Sequence, residues 1–306
     1  MNVQFDVLSD ILQTIRLNGT VYFQLDFADA WGMQADRTPY KKFHIVVRGQ
    51  CWLTGDFLDE PIPLYAGDII AFPNGDPHQL RANPDAACLP GTQILKAYQH
   101  NEPLFQDGNI CTTLVCGHIE FQRDIRHPFL DNLPTYIHIR SAERGDLDWL
   151  RAVTSMIVQE TRQSPPGSHV VVDRLAEVLH LYMLRAFMLE NTHEKSYWSA
   201  FNDTQIYQAL QLIHCSYQDK WTLESLAYEI GVSRTTLATR FKQTIGMTPM
   251  SYITMWRMQK AKELLENTNL PIYSVAKASG YGSEAALSRA FQRQFQQTPG
   301  SVRRTQ

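Results

Sequence analysis

One pattern occurs twice near the carboxyl terminus, and this repeat limits the possible folds more than any other feature of the chain. Residues 231–252 read GVSRTTLATRFKQTIGMTPMSY, and residues 280–302 read GYGSEAALSRAFQRQFQQTPGSV. Each stretch begins at a glycine turn, continues with Leu and Phe at helical spacing, and ends at Thr-Pro. Two short helices joined by a Gly-containing turn form a helix-turn-helix, so the sequence predicts two such units.

Capping residues indicate where these helices begin and end. Thr222 and Ser233 in the first unit, and Ser283 in the second, can accept hydrogen bonds from the free backbone amides at a helix start. Gly231 is predicted to end the helix that Thr222 begins, because glycine readily adopts the left-handed conformation of a helix stop. A further helix over residues 251–266 would connect the two units.

The distribution of charge indicates a partner for this region. Residues 201–306 carry 12 Lys and Arg against 7 Asp and Glu, whereas residues 1–200 carry 16 against 24. A basic end on an acidic chain is expected when that end contacts phosphates. Two recognition helices on a rigid connector can enter successive major grooves about 34 Å apart. We therefore predict that residues 204–306 bind double-stranded promoter or operator DNA.

The stretch GYGSEAALSRAFQRQFQQTPGSVRR resembles the signature of AraC/XylS-type transcription regulators, and ESLAYEIGVSRTTLATRFK resembles their first helix-turn-helix. Carried over by position, the resemblance implies two sets of DNA-binding residues. They are Arg234, Thr235, Ala238, Thr239 and Lys242 in the first unit, and Glu284, Ala285, Ser288, Arg289 and Arg293 in the second. Lys260, Arg303 and Arg304 also suit phosphate contacts. RNA polymerase is a further expected partner if the protein activates transcription.

Some of these residues have a second interpretation. Arg240 and Arg289 each lie close to a Phe that is predicted to be buried, so either could serve the scaffold or a phosphate instead of a base. Ala238 and Ala285 can offer only apolar contacts, for example to a thymine methyl group. Part of the specificity would then come from the shape of the DNA.

The amino-terminal part follows a different pattern. Residues 20–140 alternate short apolar runs with turn residues, which is typical of a β-sandwich or β-barrel. GDIIAFPNGDPH (67–78) resembles the second motif of the cupin barrel, and KFHIVVRGQCWL resembles the end of the first. The expected architecture is multidomain: a cupin-like β-barrel sensor at 1–140, a helical connector at 141–203 and an all-α double helix-turn-helix at 204–306.

The metal ligands of cupin enzymes are only partly present. The position of the family's Glu ligand falls on Lys42, and no His-x-His precedes it. His44, His78, Cys116 and His118 could converge inside the barrel instead, and one thiolate with two or three imidazoles suits Zn²⁺. Zn²⁺ is therefore a candidate cofactor. The alternative is that the same residues are ordinary hydrogen-bonded or apolar members of the core.

The sequence leaves two further functions open. Cys88, Cys111 or Cys116 could respond to oxidants, which requires an accessible thiol with a low pKa. A metal-dependent cupin-type enzyme fused to a DNA-binding module is the alternative to a regulator. No P-loop, dinucleotide fingerprint or nucleophile elbow is present, so we predict no catalytic residue and no enzyme activity. The five cysteines form an odd, scattered set that does not indicate a disulfide framework.

The second connector helix carries apolar residues around most of its circumference. They are Val178, Leu179, Leu181, Tyr182, Leu184 and Met188. Such a helix must be buried, either between domains or against a second chain, and we predict a homodimer.

No apolar run approaches the length of a membrane helix, and the amino terminus lacks the features of a signal peptide, so a cytoplasmic protein without a membrane partner is expected.

Overall fold

The computed structural model describes residues 6–15, 17–28, 30–102, 104–121, 127–141, 148–190 and 197–304. The chain forms two compact units. The β unit comprises residues 17–121 and 133–190, and the helical unit comprises residues 1–16, 122–132 and 191–306. This division differs from the boundaries at residues 140 and 203 that the sequence suggested. The amino-terminal helix groups with the carboxyl-terminal region, and the connector helices group with the strands.

The described part of the β unit contains ten strands in two sheets. The strands are β1 Leu17–Ala28, β2 Gly32–Ala35, β3 Lys41–Arg48, β4 Gln50–Thr54, β5 Ile62–Tyr65, β6 Ile69–Phe72, β7 His78–Arg81, β8 Leu89–Pro90, β9 Ile110–Phe121 and β10 Ile137–Ile139. One sheet has the order β1-β9-β3-β6-β10, and the other has the order β5-β4-β7-β2-β8. Leu25 and Leu114 of the first sheet share one core cluster with Leu53, Leu64 and Leu80 of the second, so the sheets face each other.

The helices follow the caps and periodicities that the sequence contains. They are α1 Val7–Ile15, α2 Gly91–Gln99, α3 Pro128–Asp131, α4 Asp148–Gln163, α5 Ser168–Glu190, α6 Thr204–Cys215, α7 Leu223–Glu229, α8 Arg234–Ile245, α9 Pro249–Asn267, α10 Ile272–Ala278, α11 Glu284–Phe295 and α12 Pro299–Arg304. A short 3₁₀ helix spans Tyr197–Phe201. An amino-terminal β domain followed by a helical domain is thus confirmed.

Helices α4 and α5 pack together against strand β1. The ring of Tyr182 stacks on that of Trp149 with 4.4 Å between centroids. Leu179 and Leu184 are buried within the β unit, whereas Val178 is 38% exposed, so only part of the predicted apolar surface of α5 is free for a partner. None of the described helices has the length and apolar character needed to cross a membrane.

The helical unit contains two helix-turn-helix elements, α7–α8 and α10–α11, connected by α9. The side chain of Ser233 accepts a hydrogen bond from the backbone amide of Thr236 at 3.1 Å, and Ser283 does the same for Ala286 at 3.2 Å. Gly231 has a φ of +68° in the first turn. The predicted caps and the glycine stop are therefore confirmed, and the tandem arrangement follows from them.

Candidate DNA-binding surface and sensor site

The first recognition helix, α8, is fixed by its apolar side. Leu237 and Phe241 are buried in the helical unit. The predicted DNA-binding residues lie on the other side of the helix. Arg234, Thr235, Thr239 and Lys242 are exposed, and Ala238 is half-buried. The Arg234 guanidinium pairs with the Glu224 carboxylate of α7, which holds the arginine at the start of the helix.

The second recognition helix, α11, has the same construction. Leu287 and Phe291 are buried in a cluster with α9, α10 and α12. The predicted DNA-binding residues face outward: Glu284, Ala285, Arg289 and Arg293 are exposed, and Ser288 is half-buried. Both helices thus present the predicted residues to solvent, while their contacts with bases and phosphates stay a prediction.

Other basic residues of this region have structural partners. The Arg240 guanidinium donates to the Asp203 carboxylate at 2.6 Å, and Asp203 is the N-cap of α6, which agrees with the scaffold alternative for Arg240. The expectation that Lys260 contacts phosphate is wrong, because its ammonium is largely buried and lies 2.8 Å from the Asp10 carboxylate. Arg303 donates to the carbonyl oxygen of Leu270. The side chain of Arg304 lies outside the described residues.

In the β unit, strand geometry brings three of the four predicted metal ligands together. His44 on β3 is the register partner of Cys116 on β9, and His78 reaches them from β7 of the facing sheet. The Nδ1 atom of His44 lies 2.9 Å from the Cys116 Sγ, and its Nε2 atom lies 2.8 Å from the His78 Nε2. The fourth residue, His118, stacks on Tyr22 and pairs with Glu120 instead.

The direction of each hydrogen bond among Cys116, His44 and His78 follows from the acceptor at the end of the chain, the carbonyl oxygen of Asp76. The Nδ1 atom of His78 lies 2.9 Å from the carbonyl oxygen of Asp76, which can only accept, so Nδ1 carries the proton. The Nε2 atom of a neutral His78 then accepts from the Nε2–H of His44. The Nδ1 atom of His44 in turn accepts from the Cys116 thiol. We call this chain of three donors the thiol–imidazole relay.

Burial keeps the relay neutral. Burial lowers the pKa of His78 to about 3, against a smaller opposing effect of its hydrogen bond to Asp76. Burial is the main reason that the pKa of His44 lies well below its usual range, and the nearby His78 imidazole lowers that pKa further. Burial also raises the pKa of the Cys116 thiol well above its usual value. Cys116 is therefore held as a thiol, which is a weaker nucleophile and metal ligand than a thiolate.

This geometry bears on the Zn²⁺ hypothesis. Three ligands of one ion must point at a common centre, but the two ring nitrogens of His44 face different partners, Cys116 and His78. Within the described part of the chain, no group of three His, Cys, Asp or Glu side chains is arranged to hold a metal ion. The residues as placed do not fit Zn²⁺, which would require the relay to rearrange and the thiol to lose its proton.

Beside the relay lies a cavity of about 310 Å³. His44 and Cys116 form part of its wall, together with Lys42. The remaining wall is largely apolar and aromatic, and it includes Tyr22, Phe23, Met33, Tyr40 and Leu95. Sequence reasoning did not identify these aromatic residues. Tyr22 sits at a register shift in the β1–β9 ladder, and such a bulge redirects a side chain without leaving a signal in the hydrophobic pattern.

The other redox candidates, Cys88 and Cys111, lie apart from the relay. Cys88 is half-buried in a loop, and burial raises the pKa of its thiol against the opposing charge of Arg81. The Cys111 thiol donates to the carbonyl oxygen of Phe27 at 3.4 Å. Each of the five cysteines is a free thiol, as the scattered set suggested.

Comparisons with known proteins agree with this architecture. A cupin family model matches residues 6–189, and a helix-turn-helix domain model matches residues 226–305. A putative AraC-like transcription regulator of Streptomyces lividans is 31% identical over 300 residues, which cover 98% of each chain. The HTH-type transcriptional regulator AlkR of Acinetobacter baylyi is 29% identical over 97% of this chain and 99% of its own.

One solved structure is similar to about a third of the chain. The DNA-binding domain of AdpA, determined in complex with a target DNA, is 26% identical over 32% of this chain and 91% of that chain, with a TM-score of 0.31. The fold and the matches over the full chain define a two-domain, DNA-binding transcription regulator with an amino-terminal cupin domain. The chain belongs to the AraC-like transcription regulators.

Proposed function

We propose that this regulator binds promoter DNA through α8 and α11 together and that its β unit binds a small, largely apolar effector in the cavity beside the relay. The cavity is the observation that carries the sensor part of the proposal. Its volume of about 310 Å³ is typical of a small-molecule site, and so is a mostly apolar wall with a few polar groups. Lys42 and Asp36 supply charges at this wall, and Gln34, Thr38 and Thr92 supply hydrogen-bonding groups.

A regulatory rather than a catalytic role is supported by the relatives that cover the whole chain, because they are named as transcription regulators. Oxidant and metal sensing are less well supported than small-molecule binding. A neutral thiol with a raised pKa reacts slowly with oxidants, and the relay does not direct three donors at one point. If promoter binding activates transcription, RNA polymerase is the further partner.

The proposal can be tested by closing the cavity at its rim. Thr92 on α2 lines the cavity and is exposed, whereas the neighbouring Gln93 is exposed but does not line it. A panel of small apolar molecules should contain members that raise the melting temperature of the wild-type chain and of Gln93→Trp, but not that of Thr92→Trp. A ligand present at 100 times its Kd should stabilise the fold by about 2.7 kcal/mol.

Two parallel measurements distinguish a small apolar effector from the two alternatives, a metal ion and an oxidant. Stoichiometric binding of added Zn²⁺ would assign the site to a metal. A mass increase on Cys116 with dilute hydrogen peroxide would assign it to a thiol sensor. A panel in which every stabilising compound acts equally on Thr92→Trp and on the wild type would contradict a role for this cavity.

We also propose that the chain forms a homodimer through the free side of α5. Val171 and Val178 lie seven residues apart on one side of this helix and are 44% and 38% exposed. A double substitution to glutamate should shift the chain toward monomer in sedimentation velocity, because it places charges in an apolar contact. The double substitution of Gln93 and Gln99 to glutamate, at two exposed positions of α2, adds the same charge on a different helix and is the control. A wild-type chain that sediments as a monomer would contradict the proposal.

A further inference from the structure

Strands β1 and β9 are the two longest described strands, and the segment before β1 and the segment after β9 both belong to the helical unit. Helix α1 ends at Ile15, and β1 begins two residues later at Leu17. His127 and α3 follow β9, which ends at Phe121, and Leu17 and Phe121 are register partners. Both segments, residues 1–16 and 122–132, group with the helical unit. The chain therefore leaves one end of the β1–β9 ladder twice, and both times it enters the helical unit.

Helix α1 has only nine residues, but buried side chains and hydrogen bonds fix it to the rest of the helical unit. Val7, Ile11 and Ile15 are fully buried, and the helix packs against α6 and α9. The carboxylate of Asp10 receives hydrogen bonds from the His214 Nδ1 and from the Lys260 ammonium, each at 2.8 Å. Two elements of the DNA-binding region are thus tied to α1 through one carboxylate.

The hydrogen bonds continue from His214 to the other segment. The His214 Nε2 lies 2.8 Å from the Tyr252 hydroxyl, which lies 3.1 Å from the His127 Nε2. The backbone amide of Phe129 donates to the His127 Nδ1 at 3.1 Å, so this nitrogen carries no proton. His127 Nε2–H must then donate to Tyr252, whose hydroxyl donates to His214, whose Nδ1–H donates to Asp10. All three donors point toward Asp10.

Tyr252 connects these four hydrogen-bonded side chains, the Asp10–His214–Tyr252–His127 array, to the core of the first helix-turn-helix. Tyr252 lies in the first turn of α9, the helix that connects the two helix-turn-helix elements, and its ring lies 5.7 Å from that of Phe241, the buried anchor of α8. The middle of the β1–β9 ladder lines the cavity, where Phe23 and Cys116 are register partners. In sequence, the two segments that contain Asp10 and His127 adjoin the start of β1 and the end of β9.

We propose that the Asp10–His214–Tyr252–His127 array is a latch that couples the β1–β9 ladder to the first helix-turn-helix, so that DNA binding and the state of the ladder influence each other. The proposal goes beyond effector binding and does not depend on what the cavity holds. Coupling of this kind is reciprocal, so DNA can serve as the probe where no effector has been identified.

The test is hydrogen exchange of the full chain with and without a duplex selected from random sequences by the wild-type protein. Binding of the duplex should change the exchange rates of amides in residues 17–23 of β1 and 116–121 of β9 by at least about fivefold. Tyr252→Phe removes the central hydroxyl but keeps the ring. It should still bind the duplex while losing this change in the ladder.

Tyr197→Phe is the matched control, because its hydroxyl lies 3.4 Å from that of Tyr252 but carries no link of the array. This variant should keep the wild-type change. If Tyr252→Phe does not fold, Asp10→Asn removes the terminal charge with little change in shape and should have the same effect. The proposal is overturned if DNA leaves the ladder amides unchanged in the wild type, or if the folded latch variants respond as the wild type does.

Discussion

Phe291→Ala should unfold the second helix-turn-helix and abolish specific DNA binding. Phe291 is fully buried in a cluster that includes Met258, Leu265, Val275 and Leu287. Removing a buried phenyl ring costs about 3–5 kcal/mol through lost burial and the remaining cavity. Because a whole domain is stable by only about 5–15 kcal/mol, this loss removes much of the stability of so small an element.

Chemical denaturation followed by the signal of the helical unit, together with binding to a selected duplex, measures both effects. Phe295→Ala serves as the control, since Phe295 packs against the same cluster but is only half-buried. It should cost clearly less and retain binding. A Phe291→Ala chain that binds the duplex as tightly as the wild type would show that α11 is not required for recognition.

Acid should destabilise the β unit through the thiol–imidazole relay. His78 is neutral in the folded chain because burial lowers its pKa to about 3, whereas an unfolded imidazole takes up a proton near pH 6.5. The unfolded state thus binds more protons below pH 6.5. The contribution of His78 to stability is complete above that pH and is lost as the pH falls toward 3. The loss is about 2.3 kcal/mol between pH 6.5 and 4.5 for this residue alone.

The pH dependence of the unfolding free energy of the β unit measures this effect. His44, whose pKa is also lowered by burial, acts in the same direction, so the wild-type dependence should be steeper than one residue predicts. His78→Gln removes one titrating group and should flatten the curve between pH 6.5 and 4.5. An identical slope in wild type and His78→Gln would contradict the neutral relay.

Features that depend on neighbouring residues could be predicted from the sequence. The caps at Thr222, Ser233 and Ser283 and the stop at Gly231 are set within one or two turns, and the structure places all four as predicted. Two members of the relay, His44 and His78, lie in the stretches that resemble the cupin motifs, and that resemblance led to the expectation that they meet Cys116 inside the barrel.

Features that depend on distant parts of the chain could not be predicted. The sequence indicated an amphipathic helix over α1, but nothing in it indicated that Asp10 pairs with Lys260, 250 residues away. Lys260 was consequently assigned to phosphate. The same limit applies to His118, whose stacking on Tyr22 depends on a strand bulge, and to the cavity, whose wall combines β1, β2, β3, β9 and α2.

The most direct measurement of DNA recognition by this chain is methylation interference on a selected duplex, analysed per bound chain. Two recognition helices connected by α9 should give two groups of interfering guanines on one face of the duplex, about 10 base pairs apart. Arg289→Ala should weaken binding by about 1–3 kcal/mol and relax the base preference at one position of one group. A single group of interfering guanines per chain, unaffected by Arg289→Ala, would contradict recognition by both helices.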